Sequence, residues 1–216
     1  MAITLAVGTT VAIASAYGPV RSMTALTNAS NAVATLEASH GVAVNDYVEI
    51  TSGWARANGR VARASVVATN DVTLAGIDTQ STARFPSGSG TGSVREVTTW
   101  TTIGQITKDI SVSGGEQQFA DITTLEDVLD KQIPTRRSPV SVQLPLFFDP
   151  ALSYVAAVRA ASDAATPAAV RFIYPNGVIL VANAYWSFQD VPTIQDDTLR
   201  GQIDLTFLAV PTIYTS

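Results

Sequence analysis

The sequence contains no cysteine. Disulfides and thiolate metal sites are therefore excluded, and the fold does not depend on an oxidising compartment. There is one histidine, His40. A Ser-His-Asp triad would have to use it, and a metal site could draw only one imidazole from it. Standing in Ser39-His40-Gly41, it reads as a turn residue. Charge is also scarce. Charged residues make up 14% of the chain, with only two lysines, Lys108 and Lys131, where a soluble protein carries about a quarter. The surface must then be rich in Ala, Thr, Ser and Val, which is easily desolvated and suits permanent contacts between subunits. A basic patch is missing too. With a net charge of −5, the chain lacks the counterion-displacing footprint of a protein that grips nucleic acid. No apolar run approaches the ~20 residues of a membrane-spanning helix; the best, Gly177 to Trp186, is interrupted by Asn183. The start, Met1 to Ala16, is apolar and ends in Ala14-Ser15-Ala16. It has no Lys or Arg before Arg21 and is broken by Gly8-Thr9-Thr10, so it is not read as a secretion signal.

What is present reads mostly as β-structure. The 216 residues could bury ~70% of their unfolded surface, enough for one good core or a core with a satellite. Thr, Val, Ile and aromatics alternate with small polar residues, punctuated by Gly, Asn, Asp and Pro. Strands are expected at Ile3 to Val7, Thr10 to Ser15, Val20 to Leu26 and Ala32 to Ala38. Further strands follow at Tyr47 to Thr51, Arg60 to Ala68 and Val72 to Ala75. Turns at Ser39-His40-Gly41, Asn58-Gly59 and Asn70-Asp71 divide this run into a possible small β-barrel or sandwich. Pro86 to Ser93, PSGSGTGS, is flexible by composition, and Val94 to Thr102 is a strand. A boundary between two halves, 1–99 and 100–216, is expected here, with a small module at about 32–98. Charge shifts at the same place: up to Thr99 there are six basic and six acidic residues, and from Trp100 onward seven and twelve.

The second half opens with an expected strand, Ile103 to Ser113, ending at Gly114-Gly115. Thr123 and Glu126 fit a capping box, and Leu125, Val128, Leu129 and Ile133 would share one helical face. That helix would stop at Pro134, and Thr135 to Ser138, with Arg136-Arg137, would be a loop. Val140 to Phe148 is a strand. A second helix, about 150–162, takes Asp149 as N-cap and Pro150 at its first position, with Leu152, Val155, Ala156 and Arg159 on one side. Ala169 to Tyr174 and Val178 to Phe188 flank Pro175-Asn176-Gly177, a strong hairpin signal. Pro192 to Asp197 is a loop, and Arg200 to Val210 the last long strand. The fold class is mainly β with one flanking helix.

No constellation for chemistry emerges. Gly88 to Gly92 lacks the strand before it, the helix after it and the lysine that a phosphate cradle needs. Two acidic groups, Asp121, Glu126, Asp127 and Asp130, then Asp190, Asp196 and Asp197, could in principle serve calcium or glycoside hydrolysis, but neither has a ligand-loop pattern. They read as helix capping and loop polarity. Trp54, Trp100 and Trp186 could form a sugar-stacking surface, though aromatics at strand positions more often anchor cores. No catalytic, metal or cofactor residues are assigned, and the chain is read as a structural protein rather than an enzyme.

The order of features from Trp100 to Ser216 resembles the tail tube proteins of long-tailed bacteriophages. A strand leads to a Gly-rich acidic loop, Asp109 to Asp121. Thr123-Thr124-Leu125-Glu126-Asp127 follows, then a basic loop, a strand into one helix, a hairpin, and a terminal strand, Gly201 to Ser216. The stretch from Ser39 to Arg60 is similar to a β-module found in some of these subunits. The resemblance implies β-sandwich subunits that form rings, usually hexamers, whose sheets join into an inner barrel through which DNA passes without specific binding. It implies partners in further copies of the chain and in the tape measure, tail terminator and distal tail proteins. It also implies a place in the virion tail, after assembly in the host cytoplasm. Gly114, Gly115, Glu116, Gln117, Gln118 and Phe119, with Arg136 and Arg137, are the expected interface. The first ~99 residues exceed what a minimal tube subunit requires, and part of them is expected to be an outward decoration. The alternative reading is a carbohydrate-binding or adhesin β-domain, resting on the tryptophans; a hydrolase using the acidic groups ranks last.

Overall fold

The computed structural model describes residues 7–215. The expected strand Ile3 to Val7 therefore lies outside the described residues, except for Val7, which is in a turn. From there the chain runs through β1 (Thr10–Leu26), β2 (Val33–Leu36), β3 (Tyr47–Ser52), β4 (Val61–Ala68), β5 (Asp71–Ala75) and β6 (Gly92–Ile103). Their pairing is cyclic: β1 with β2, then β5, β4, β3, β6 and back to β1. This closes a small barrel and removes its sheet edges. Met23, Leu36, Ile50, Leu74, Ile77 and Val94 fill it, each almost fully buried.

β1 is one strand where the alternation predicts two. Gly18 and Pro19 do not end it, because they fall in bulges. The register to β6 shifts three times between Ala14 and Val20, so the residue without an N–H is not asked to donate to a ladder. Pro86 to Ser93 is also more ordered than its composition implies. Trp54 Nε1 donates to the Pro86 carbonyl at 2.7 Å, Ser52 Oγ to that of Gly90 at 3.0 Å, and the Gly53 amide to that of Thr91 at 3.0 Å. A Gly-rich stretch is mobile only when nothing captures its carbonyls.

The chain continues with β7 (Ser111–Gly114), β8 (Gln117–Asp121), β9 (Gln132–Arg137), β10 (Val140–Phe147), α1 (Ser153–Asp163), β11 (Ala168–Ile173), β12 (Ile179–Phe188), β13 (Thr193–Gln195), β14 (Thr198–Phe207) and β15 (Thr212–Tyr214). Beyond the barrel, the first half of β1 pairs with β11, and the sheet proceeds through β12, β14, β10 and β7. The described strands thus form one 13-stranded antiparallel sheet, with β8 and β9 as a separate pair. After β6 the chain does not continue as the expected strand from Ile103 to Ser113. It breaks at Gly104, bridges Ile106 to Leu146, and donates from the Thr107 amide to the Pro145 carbonyl. The far edge of β10 is covered in this way, and the sheet curls around Ile13, Val142, Leu144, Val170, Trp186, Ile203 and Leu205.

The β11–β12 hairpin forms as Asn176-Gly177 predicts, with Gly177 at φ +82°. α1 closes one side of this core through Tyr154, Val155 and Val158. It begins later than expected. Asp149 Oδ1 accepts the Ala151 amide two residues on, which makes a local turn, so Leu152 is the N-cap and no side chain caps the helix. Pro192 to Asp197 is not only loop: β13 pairs with β14 across Asp196-Asp197, both in the left-handed region at φ +50° and +57°. A two-residue hairpin turn needs that conformation twice, and Asp tolerates it better than most residues.

Candidate assembly surface

The clearest departure from expectation lies between Ser111 and Gln143. β7 pairs with β10, and beyond Gly114-Gly115 (φ +82° and +79°) the chain continues into the β8–β9 ladder, Gln117↔Arg137 to Asp121↔Gln132. The expected helix from Thr123 and the expected loop Thr135 to Ser138 are both absent. Together they make a β-hairpin arm whose tip is 122–131. The capping signals are used differently. Asp121 Oδ1 accepts the Thr123 amide and hydroxyl, Asp127 Oδ2 accepts the Thr124 amide, and the Lys131 amide donates to Thr123 Oγ1. The Ile122 amide then closes the tip on the Lys131 carbonyl at 2.9 Å. The helical face had nothing to pack on, and a short helix without tertiary contact is marginal.

Every residue expected at the interface falls on this arm. Gly114, Gly115 and Glu116 form its base, Gln117 to Phe119 lie on one strand, and Arg136 and Arg137 on the other. Ser138 locks the base: its Oγ accepts the Glu116 amide at 3.0 Å, and its amide donates to the Glu116 carbonyl at 3.0 Å. Leu125, Val128 and Leu129 at the tip are 108%, 96% and 78% exposed, and Phe119 is 58% exposed. Sequence reasoning missed the tip residues as surface, since the same spacing reads as a buried helical stripe.

Local partners set the acid chemistry of the tip. The Thr123 hydroxyl and amide hold Asp121 below the usual carboxylate range, and Lys131 together with the Thr124 amide does the same for Asp127. The carboxylates proposed above as candidates for chemistry do not converge. Asp121 to Asp130 lie at the arm, Asp196 and Asp197 form the β13–β14 turn, and Asp190 pairs with Arg159 of α1 at 2.7 Å. Among the described residues no group of three or more His, Asp or Glu is placed to hold a metal. His40 is buried, and its Nδ1 accepts the Val42 amide. The tryptophans are packing residues. Trp54 and Trp186 are buried, and Trp100 packs edge-on against Tyr47 with Arg171 over its ring, so the three do not share an exposed stacking face.

Where barrel and curled sheet meet, the packing is polar as well as aromatic. Asn183, fully buried in the middle of β12, donates to Glu49 at 2.8 Å; Glu49 Oε2 accepts from two Arg95 nitrogens, Nη2 at 2.5 Å and Nε at 3.2 Å; and Arg95 lies over the Tyr17 ring at 3.8 Å. The Tyr17 hydroxyl accepts the Ala169 amide, and that of Tyr214 accepts the Arg63 amide. Burial pushes both phenols up to about 12. The residue that interrupts the apolar run in the sequence is thus the one that reaches across to the barrel.

Comparison with known families gives a match to the phage tail tube protein family (TTP) over residues 52–216. The chain belongs to that family. The match starts at the last residue of β3 and takes in the arm, α1 and every later strand. Members are structural components of phage tails, and this chain is one of them. No curated protein matches it. Among solved structures, a chain of the anti-feeding prophage (AFP) baseplate, 6-fold symmetrised, is 9% identical with a TM-score of 0.36 over 54% of this chain and 85% of its own. A chain of the AFP tube terminating cap is 17% identical with a TM-score of 0.34 over 53% and 83%. Those scores are too low to carry an argument, and membership rests on the family match.

Proposed function

We propose that this chain is the tube-building subunit of the tail, self-assembling through its arm into stacked rings, hexameric by expectation, with DNA passing through the lumen. The observation that carries this is the arm itself: a hairpin whose tip side chains Leu125, Val128 and Leu129 are covered by little among the described residues. A soluble monomer rarely leaves such a patch uncovered without a partner for it. The surface area agrees. The chain exposes 12127 Å², against ~9,500 Å² for a compact monomer of its mass.

The arm residues Gly114 to Phe119, Arg136 and Arg137 form contacts between copies. The barrel is an elaboration carried on the tube sheet. The open face of β10, β14 and β12 carries Ser141, Gln143, Gln202, Thr206, Ser187 and Tyr185, with Asp204 as its one acid and Arg200, lying over Phe147, as its one base. It is mostly polar and its one acid and one base balance, so it is a lining with no basic patch to hold phosphates. The tape measure, terminator and distal tail proteins are the partners at the ends of such a tube, built in the host cytoplasm. Electron microscopy of the purified protein at high concentration tests the reading. Rings or tubes are expected, and a strictly monomeric protein at every salt concentration would sink it.

A further inference from the structure

The arginines sort by what faces them. Arg63, Arg95, Arg159, Arg171 and Arg200 lie over aromatic rings, and Arg21 pairs with Glu37. Arg136 stands on the arm. The other four, Arg56, Arg60, Arg84 and Arg137, line one cleft of about 620 Å³ between the barrel loops, the arm base and the β14–β15 connection. Among the described residues none of the four has a carboxylate within ion-pair distance, although Asp78 shares the lining. Arg60 donates instead to Thr212 Oγ1 at 3.1 Å and to the Gly76 carbonyl at 3.4 Å. Leu208 and Val210, 44% and 69% exposed, give the same cleft an apolar wall. In an acidic chain with few charges, four cations facing a single carboxylate, Asp78, beside exposed aliphatics describe a site for something both acidic and apolar.

The arm tip has that chemistry. Asp121, Glu126, Asp127 and Asp130 outnumber Lys131, and Leu125, Val128 and Leu129 stand in solvent. It cannot enter the cleft of its own chain. Arg137 and Gly115 at the arm base line that cleft, and the β8–β9 ladder holds the tip roughly 13 Å of paired strand away. We infer that the cleft receives the arm tip of a second copy of this chain, carboxylates against the four arginines and Leu125, Val128 and Leu129 against Leu208 and Val210. This rests on the assembly reading above and names its contact. Tip and cleft are different surfaces, so the contact is head-to-tail: it propagates into a ring or a filament and does not stop at a two-fold dimer.

A charge swap tests it. One protein carries Glu126→Lys with Asp130→Lys in the tip, a second carries Arg84→Glu with Arg137→Glu in the cleft, and a third carries all four. All four positions are exposed, so unchanged thermal melting is expected and is checked first. Each two-site protein should need a roughly tenfold or higher concentration to assemble, by sedimentation velocity, because opposed charges have become like charges. The four-site protein should recover most of the assembly. Two-site proteins that assemble like the unsubstituted chain, or a four-site protein that does not recover, overturn the contact while leaving assembly itself intact. An unsubstituted chain that never assembles overturns both. Because the chain has no cysteine, Leu129→Cys with Val210→Cys gives an independent readout. Oxidised assemblies should run as a ladder on a non-reducing gel, and assemblies without any ladder contradict the contact.

Discussion

The barrel and the arm are built from similar material, Thr-, Val- and Ala-containing antiparallel strands joined by tight turns, yet they treat apolar side chains in opposite ways. The barrel closes on itself and buries Ile50, Leu74 and Ile77 completely. Among the described residues the arm has two strands and no third, and it exposes Phe119, Leu125, Val128 and Leu129. A two-stranded hairpin has one face too many and a core too few. The barrel's apolar residues are spent on its own stability, while those of the arm contribute almost nothing until another surface covers them.

That contrast can be broken at several points. The largest effect is expected in the barrel: Leu74→Ala should destabilise it by about 2–5 kcal/mol, seen as a lower urea midpoint. A value under ~1 kcal/mol would mean the barrel is less closed than its pairing implies. Alkaline pH comes next. Tyr17 and Tyr214 have folded pKa values raised above the unfolded value near 10, so their contribution is intact below pH 10 and is lost as pH rises through about 12. Each should account for on the order of 2 kcal/mol, and phenolate absorbance should lag behind model tyrosine until the junction opens. Asn183→Ala should cost about 1–3 kcal/mol, since it strips Glu49 of a buried donor. A melt in which barrel and sheet separate into two transitions would show that the junction is what couples them. Leu125→Ser in the arm is expected to be the smallest, within about 0.5 kcal/mol for the isolated chain, while still weakening assembly. A clear loss of monomer stability there would mean that the tip is covered within its own chain.

Much of the fold was legible in the residues because it is locally encoded. Alternation placed Tyr47 to Thr51 and Val140 to Phe148 within a residue or so of their observed ends, and Asn176-Gly177 gave its hairpin. What was not legible depends on partners distant in the chain. Nothing local in Thr10 to Leu26 says that a strand some eighty residues away will hold it straight through Gly18-Pro19. The Thr123 helix failed for the converse reason: its capping and periodicity are sound, but both presuppose a surface to pack against. The residues expected at an interface read as two separate loops, whereas most of them lie on the paired strands of one arm, a pairing that no local signal announces. The expected division after Thr99 falls inside β6. The acidic excess of the second half lies on the arm, α1 and the loops, and only Asp204 sits on a strand of the large sheet.

The continuity of β1 and β6 has a mechanical side. A module tethered by a linker can swing, and a pull on it is absorbed by the tether. Here a force on the barrel enters the curled sheet along one ladder, from Met23–Gly92 to Val11–Ile103, which loads the hydrogen bonds in shear, side by side, instead of unzipping them singly. The barrel is held at a set angle to the sheet that carries it, so torque or drag on it is delivered to that sheet as rotation rather than lost in a joint.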